Sequence, residues 1–183
     1  YFMDDDMPLR LCYLERTFKN NTSYQGYLKE RAESGAELIG DDSPDADAEM
    51  IAMVIDCLKT AGLKEFQVEL GEVAFYRSLL LQSGLDEDAQ ARLNDLIENK
   101  NRFGVEEFLK NQNMEESLKE AFLKLPELFG GISQIKKAKT LTHNPQALAA
   151  IERLERVHTL LEEYHMADYV SYDLGMLSRY QYY

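Results

Sequence analysis

The stretch Glu33-Ser34-Gly35-Ala36-Glu37-Leu38-Ile39-Gly40 decides the fold, because it reads as a strand that returns along an earlier apolar strand. That earlier strand, residues 9–15 (Leu-Arg-Leu-Cys-Tyr-Leu-Glu), has apolar residues at odd and even positions alike, which is typical of a strand buried on both faces. Residues 20–27 between the two are polar and rich in turn-forming residues. The sequence therefore predicts a hairpin with a long loop, and loops of this length commonly carry function.

The rest of the chain alternates between helical and strand patterns. From about residue 86 onward, apolar residues recur with helical spacing, and Asn144-Pro145 is a helix start signal, with an N-cap residue followed by proline at the first helical position. Residues 178–183 return to a strand pattern. We therefore predict an α+β fold. Its predicted parts are a first sheet portion over residues 1–85, an all-helical insertion over 86–166 and return strands over 167–183.

Composition and charge exclude several classes of protein. Hydrophobic residues make up 45 % of the 183 residues, enough to form a packed core. The 20 basic and 33 acidic residues give a net charge of −13, which repels nucleic-acid phosphates, and the densest basic run is only Lys136-Lys137-Ala138-Lys139. No apolar stretch approaches the roughly 18 residues that cross a bilayer. We expect neither a nucleic-acid partner nor a membrane partner.

Cysteine usage and the chain ends bear on the location and origin of the chain. Cys12 and Cys57 lie far apart with no C-x-x-C spacing, so neither a disulfide scaffold nor a zinc framework is predicted. The acidic start, Asp4-Asp5-Asp6, does not resemble a signal peptide. We expect a cytoplasmic protein. Because the chain lacks an initiator methionine and ends at Tyr183 in a strand pattern, we interpret it as a piece of a longer protein.

No motif in the chain specifies a reaction by itself. There is no Walker P-loop, no dinucleotide-binding glycine fingerprint and no H-E-x-x-H zinc motif. His143, His158 and His165 lack further ligands at metal-binding spacing, so we assign them packing or surface roles. The acidic run 41–49 lacks the spacing of a calcium loop, and we interpret it as a solvated turn whose Asp45 or Asp47 caps the next helix. We expect no metal and no cofactor.

Two glutamates and several tyrosines are the candidate ligand-binding residues. The period of two in a strand places Glu33 and Glu37 on one face, where two carboxylates among apolar neighbours need either solvent or a cationic ligand. Tyr182 and Tyr183 lie in a predicted strand. One interpretation is a polar pocket on the sheet; the other is wet glutamates with tyrosines that pack in the core. The sequence leaves both open.

The order of these segments resembles a known family. Pro8-Leu9-Arg10-Leu11-Cys12-Tyr13, Phe18-Lys19 and residues 33–40 resemble motif 2 of a histidyl-tRNA-synthetase-like class II domain. Later segments resemble the regulatory subunits of ATP phosphoribosyltransferase, which are synthetase paralogues in histidine biosynthesis. Those segments are Phe66-Gln67-Val68-Glu69-Leu70-Gly71, Leu125-Pro126-Glu127-Leu128-Phe129-Gly130-Gly131 and Tyr172-Asp173-Leu174-Gly175 through Tyr182-Tyr183.

The resemblance implies an antiparallel sheet with flanking helices and a hairpin loop that grips ATP in true synthetases. A synthetase arginine would fall at Lys19, which offers a point charge but no bidentate fork, and a second would fall near Ser178. The glutamine that helps to read the amino acid would fall at Glu33. These departures at chemical positions, on a retained framework, are what a non-catalytic paralogue should show.

Two hypotheses follow from the resemblance. In the first, the chain is part of a non-catalytic regulatory subunit that completes ATP phosphoribosyltransferase and helps to transmit histidine feedback. Its partners would be the catalytic subunit and free histidine, and the full-length protein would be a homodimer. The candidate ligand-binding residues would be Lys19, Glu33, Glu37, Tyr182 and Tyr183. In the second, the chain is a catalytic-domain fragment of a divergent histidyl-tRNA synthetase.

Overall fold

A computed structural model describes residues 6–20, 26 and 28–177. The described residues form two sheets and a set of helices, and the helices and one of the sheets pack around one core. The strands are β1 (Leu9–Phe18), β2 (Glu30–Ile39), β3 (Val68–Leu70), β4 (Phe129–Gly130) and β5 (Val170–Asp173). The helices are α1 (Pro44–Thr60), α2 (Val73–Ser83), α3 (Glu87–Glu98), α4 (Arg102–Lys110), α5 (Glu116–Lys124), α6 (Ser133–Lys139) and α7 (Pro145–Glu163), with short 3₁₀ turns at Leu125–Glu127 and Ala167–Tyr169.

The hairpin of β1 and β2 is confirmed. Its register places Tyr13 opposite Gly35, and the backbone N–H of Lys19 donates to the carbonyl oxygen of Lys29 at 2.8 Å where the loop begins. The Tyr13 ring lies directly over Gly35, so a Cβ at position 35 would collide with it. Residues directly opposite each other in such a pair share a face. Glu33 and Glu37 therefore lie on the Tyr13 side of the hairpin, as the period of two predicts.

The prediction that β1 is a buried strand is wrong for the part of the chain described. Tyr13 is 48 % exposed, Leu14 76 % and Phe18 74 %. Apolar composition indicates that a strand can be covered, but it does not show what covers it. Here β1 pairs with β2 and carries no second layer over its centre, while the base of the hairpin is tied to α1 by Arg10, whose guanidinium donates to both carboxylate oxygens of Glu49 at 2.5 and 2.7 Å.

The second sheet has the strand order β3-β5-β4. Leu70 of β3 lies beside Tyr172 of β5 in a parallel pair, and Gly130 of β4 faces Tyr172 in an antiparallel pair. The α+β class is confirmed, but the described strands form two small sheets rather than one antiparallel sheet. The β3–β5 pair is parallel. Parallel strands need a long crossover connection that returns the chain to the same end of the sheet, and residues 71–169 form it here.

Helix α7 organises the core. The Asn144 side chain accepts hydrogen bonds from the backbone N–H groups of Gln146 and Ala147, so the predicted start at Asn144-Pro145 is confirmed. The helix packs against both α1 and α2. Its inward face consists of Ala147, Ala150, Ile151, Leu154, Val157, Leu160 and Leu161, all of which are buried.

One hydrophobic cluster runs from Ala48 in α1 to Leu174 after β5 and includes the fully buried Phe75, Phe122 and Tyr172. The helices of the 86–166 segment therefore share their core with the elements on either side. The segment is not all-helical as predicted, because β4 lies within it and pairs with β5. The boundaries at residues 85 and 166 stay a prediction. Among the described residues, no helix is both long and apolar enough to cross a bilayer.

Candidate functional site

The candidate site on the hairpin is the side formed by Tyr13, Glu15, Glu33, Gly35 and Glu37, called here the hairpin face. Glu33 lies directly opposite Glu15 across the strand pair, and Glu37 lies opposite Leu11. Like charges placed directly opposite each other are unfavourable, which is tolerable where water reaches both carboxylates. Glu15 is exposed and the Glu33 side chain is partly exposed, so water reaches both.

Lys19 is held close to Glu33. Its Nζ lies 4.0 Å from Glu33 Oε1, and both side chains are partly open to solvent. A pair this exposed contributes little to stability, but it brings a carboxylate to the cation that the resemblance places at an arginine position. Arg31, opposite Thr17, is a second cation on this side of the hairpin. Three carboxylates and two cations therefore make the hairpin face acidic.

Tyr182, Tyr183 and Ser178 lie outside the described residues, so the structure brings together only the hairpin half of the predicted site. Lys19 and Glu33 meet, whereas Glu37 lies further along β2. The pocket of two glutamates and two tyrosines stays a prediction.

A separate cleft of about 820 Å³ lies between α1, α7 and the turn that follows β3. Its walls are apolar and include Ile51, Leu70 and Leu154, while Asp47 and Arg153 lie at its polar end. Its volume is within the range of small-molecule sites. Sequence reasoning missed this cleft, because residues that line it come from three separate parts of the chain.

Arg153 joins α7 to the start of α1. Its Nε donates to Asp47 Oδ2 at 2.8 Å, and its Nη atoms donate to the carbonyl oxygen of Asp42 at 3.0 Å and to Asp42 Oδ1 at 3.1 Å. The hydrogen bond to Asp47 raises the pKa of the Arg153 guanidinium. The prediction that Asp45 or Asp47 caps α1 is wrong, because the Ser43 hydroxyl accepts the hydrogen bond from Ala46 N at 3.1 Å. Asp47 is thus free to pair with Arg153.

The histidines do not form a metal site in the part of the chain described. Among those residues, no group of three or more His, Cys, Asp or Glu side chains is arranged to hold a metal ion. His158 instead packs inside, with its Nδ1 2.9 Å from the hydroxyl of the buried Tyr172. Burial raises the pKa of that Tyr172 hydroxyl. His143 and His165 are exposed, which agrees with surface roles.

A buried carboxylate, Asp173, ends β5 in the Tyr172-Asp173-Leu174-Gly175 segment. Asp173 is 4 % exposed; its Oδ2 pairs with Lys100 Nζ at 2.5 Å, and its Oδ1 accepts from Gly175 N at 2.9 Å. Lys100 also lies over the Phe129 ring, with Nζ 4.5 Å from the ring centroid. No local pattern marks Lys100 as a partner of Asp173, because the two are 73 residues apart.

Comparison with protein families supports the resemblance. The family model described as "Histidyl-tRNA synthetase" matches residues 2–183. The chain is 37 % identical over 180 residues to an ATP phosphoribosyltransferase regulatory subunit of Acetivibrio thermocellus, covering 98 % of this chain and 43 % of that protein. It is 38 % identical over 179 residues to the regulatory subunit of Ruminiclostridium cellulolyticum, with the same two shares of coverage. The chain thus spans less than half the length of these curated relatives.

Solved structures agree. A crystal structure of an ATP phosphoribosyltransferase regulatory subunit/histidyl-tRNA synthetase from Bacillus halodurans superposes with a TM-score of 0.87 at 33 % identity, covering 98 % of this chain and 47 % of that one. A chain of the ATP phosphoribosyl transferase (HisG:HisZ) complex from Thermotoga maritima superposes with a TM-score of 0.69 at 18 % identity, covering 93 % and 58 %, and shows a likeness of fold. From the family match and the shared fold we conclude that this chain belongs to the histidyl-tRNA synthetase family, in which it is similar to the regulatory subunits of ATP phosphoribosyltransferase.

Proposed function

We propose that the chain is part of a regulatory subunit of ATP phosphoribosyltransferase, which forms no aminoacyl adenylate and acts by binding the catalytic subunit. In this role the full-length protein supports turnover in the first step of histidine biosynthesis and helps to transmit inhibition by histidine. The observation that carries the proposal is the pairing of Lys19 with Glu33 at 4.0 Å.

The argument from this pair is electrostatic. Adenylate formation needs cations that hold the ATP α-phosphate and the charge that develops in the transition state. On the hairpin face the lysine that stands at the arginine position already lies beside a carboxylate, and Glu15 lies directly opposite that carboxylate. A polyanion such as ATP would meet an excess of negative charge there. The relatives at 37 and 38 % identity, both named regulatory subunits, support the same assignment.

The same charges favour a cationic ligand. We propose that Glu33, Glu37, Tyr182 and Tyr183, with Lys19 at the edge, form a site for free histidine, because carboxylates and phenol hydroxyls accept hydrogen bonds from an ammonium or an imidazole. Calorimetric titration of histidine into the full-length protein and its Glu37→Gln variant tests this site. We expect weaker binding by the variant. Absence of heat from both proteins, or equal affinity, leaves Glu37 with a structural role.

Addition of the full-length protein to the short-form catalytic subunit of the same organism tests the proposed function. Turnover should rise and become sensitive to histidine, because the added subunit shifts a conformational equilibrium of the complex. A catalytic subunit that is already fully active and histidine-sensitive alone contradicts the proposal. We further propose that the full-length protein is a cytoplasmic homodimer, which sedimentation of the purified protein and fractionation of cells test.

The second candidate function is that of a divergent histidyl-tRNA synthetase. The description of the matching family model favours it, as does the combined name of the Bacillus halodurans structure. It requires cations free to hold ATP, and the Lys19–Glu33 pair counts against that requirement.

A further inference from the structure

A group of cations and exposed aromatic rings lies at the start of α4, the end of α5, β4 and α6. We call it the cationic aromatic patch, and it consists of Lys100, Arg102, Phe103, Lys124, Phe129 and Lys137. Arg102 Nη1 lies 2.8 Å from Glu127 Oε1, and Lys124 Nζ lies 3.9 Å from Glu127 Oε2, so one carboxylate holds the two sides together. Lys137 and Lys124 line the same small cleft of about 300 Å³ beside Glu127.

The charge of the patch is opposite to that of the chain. Three of its four cations pair with two carboxylates, Glu127 and the buried Asp173, so these six groups together carry a net charge of +2, whereas the whole chain carries −13. Lys137 Nζ has only Gln134 Oε1 near it, at 3.4 Å, and pairs with no carboxylate among the described residues. Lys137 is therefore available to an acidic group from outside.

The aromatic rings of the patch are unusually exposed for a well-packed region. Phe103 is 73 % exposed and Phe129 is 53 % exposed, although Leu125, four residues before Phe129, is fully buried. Aromatic residues and arginine are enriched at protein interfaces relative to the rest of the surface. Lys100 over the Phe129 ring also fixes the position of that ring.

We propose that the cationic aromatic patch binds an acidic surface of the ATP phosphoribosyltransferase catalytic subunit, an inference that rests on the proposed function. The net positive charge of the patch would steer an acidic protein into place, with Lys137 open to pair with its carboxylates, and the two exposed phenylalanines would be buried in the contact. A protein partner fits better than a nucleic acid, because the −13 charge surrounding so small a basic area repels a long polyphosphate backbone.

The test uses the full-length protein and the catalytic subunit of the same organism. The variant Phe103→Ser/Lys137→Glu removes one exposed ring and reverses one cation that no described carboxylate holds. The matched control is Leu81→Ser/Arg77→Glu on α2, where Leu81 is 70 % exposed and Arg77 is an exposed cation away from the patch. Both variants should unfold at the temperature of the unsubstituted protein, since both change exposed side chains.

We expect the patch variant to bind the catalytic subunit about tenfold or more weakly and the control to bind within about twofold of the unsubstituted protein. Binding by the unsubstituted protein should also weaken as salt is added. Equal affinity of the patch variant overturns the inference and leaves the proposed function standing. Failure of the unsubstituted protein to bind overturns both. Patch-dependent binding of transfer RNA, with the catalytic subunit bound equally well by both variants, assigns the surface to nucleic acid and overturns the inference.

Discussion

Phe18 on β1 and Phe122 in α5 are the same residue type but differ fully in solvent exposure. Phe18 is 74 % exposed and Phe122 is 0 % exposed. Phe122 lies in the common core with the Tyr76 ring edge-on to it, the two ring centroids 6.1 Å apart. Phe18 lies near the open end of a two-stranded hairpin, and an isolated pair of strands is at best marginally stable in water. The helices therefore hold most of the folding free energy, while the hairpin carries the residues of the candidate site.

The ion pairs of the two regions differ in the same way. Arg16 and Glu30 of the hairpin are neighbours across the strands, 2.6 Å apart, with side chains 76 and 47 % exposed. Asp173 in the core is almost fully buried and receives Lys100 from a distant part of the chain. The comparison indicates that charged residues of the hairpin can be substituted with little loss of folding free energy. The function of the hairpin can therefore change while the fold is retained.

Replacing the two phenylalanines one at a time should give the largest contrast. We expect Phe122→Ala to lower the free energy of unfolding by about 3–5 kcal/mol, because it leaves a cavity in the core. The same change at Phe18 should alter it by about 0.5 kcal/mol or less. Denaturant unfolding of the full-length variants measures both. Similar losses for the two variants would show that a layer covers the hairpin after all.

Neutralising the two ion pairs should give a smaller contrast. Asp173→Asn leaves Lys100 facing an amide and should cost about 2 kcal/mol, which is less than for a fully buried pair because Lys100 is partly exposed. Glu30→Gln should cost about 0.5 kcal/mol or less. Thermal unfolding at low and high salt checks both values. A Glu30→Gln loss as large as that of Asp173→Asn would contradict the comparison.

Gly35→Ala should affect stability less than either core substitution, Phe122→Ala or Asp173→Asn. The added Cβ would collide with the Tyr13 ring, which is half exposed and can swing away, so we expect the free energy of unfolding to change by less than about 1 kcal/mol. The consequence should be local, as faster hydrogen exchange of the amides of β1. Exchange that quickens across α7 as well would mean that the hairpin and the core unfold as one unit.

Local signals in the sequence predicted much of the fold. The Asn144-Pro145 start of α7 depends on chemistry within a few residues. The pairing of β3 with β5 and the exposure of β1 depend on contacts between segments that are far apart in sequence. Period and composition do not encode those contacts, and for that reason the sequence did not predict the parallel β3–β5 pair or the exposure of β1 among the described residues.

The candidate site shows the same limit. The period of two correctly placed Glu33 and Glu37 on one face, and the resemblance singled out Lys19, but only the structure brings Lys19 to Glu33. Arg153 hydrogen-bonds to Asp47, 106 residues away in sequence, and Lys100 pairs with Asp173, 73 residues away. No sequence motif predicts either pair. The acidic run 41–49 looked like a solvated turn because its partner on α7 is remote in sequence.

Histidine-dependent pyrophosphate exchange with ATP, measured on the full-length protein, tests the central claim most directly. The account holds that the hairpin keeps the synthetase framework but that its cation at the arginine position is paired with Glu33, so that ATP phosphates are not held. It predicts exchange no greater with histidine than without it. Histidine-dependent exchange at the rate of a synthetase would contradict the account and identify the protein as a catalyst.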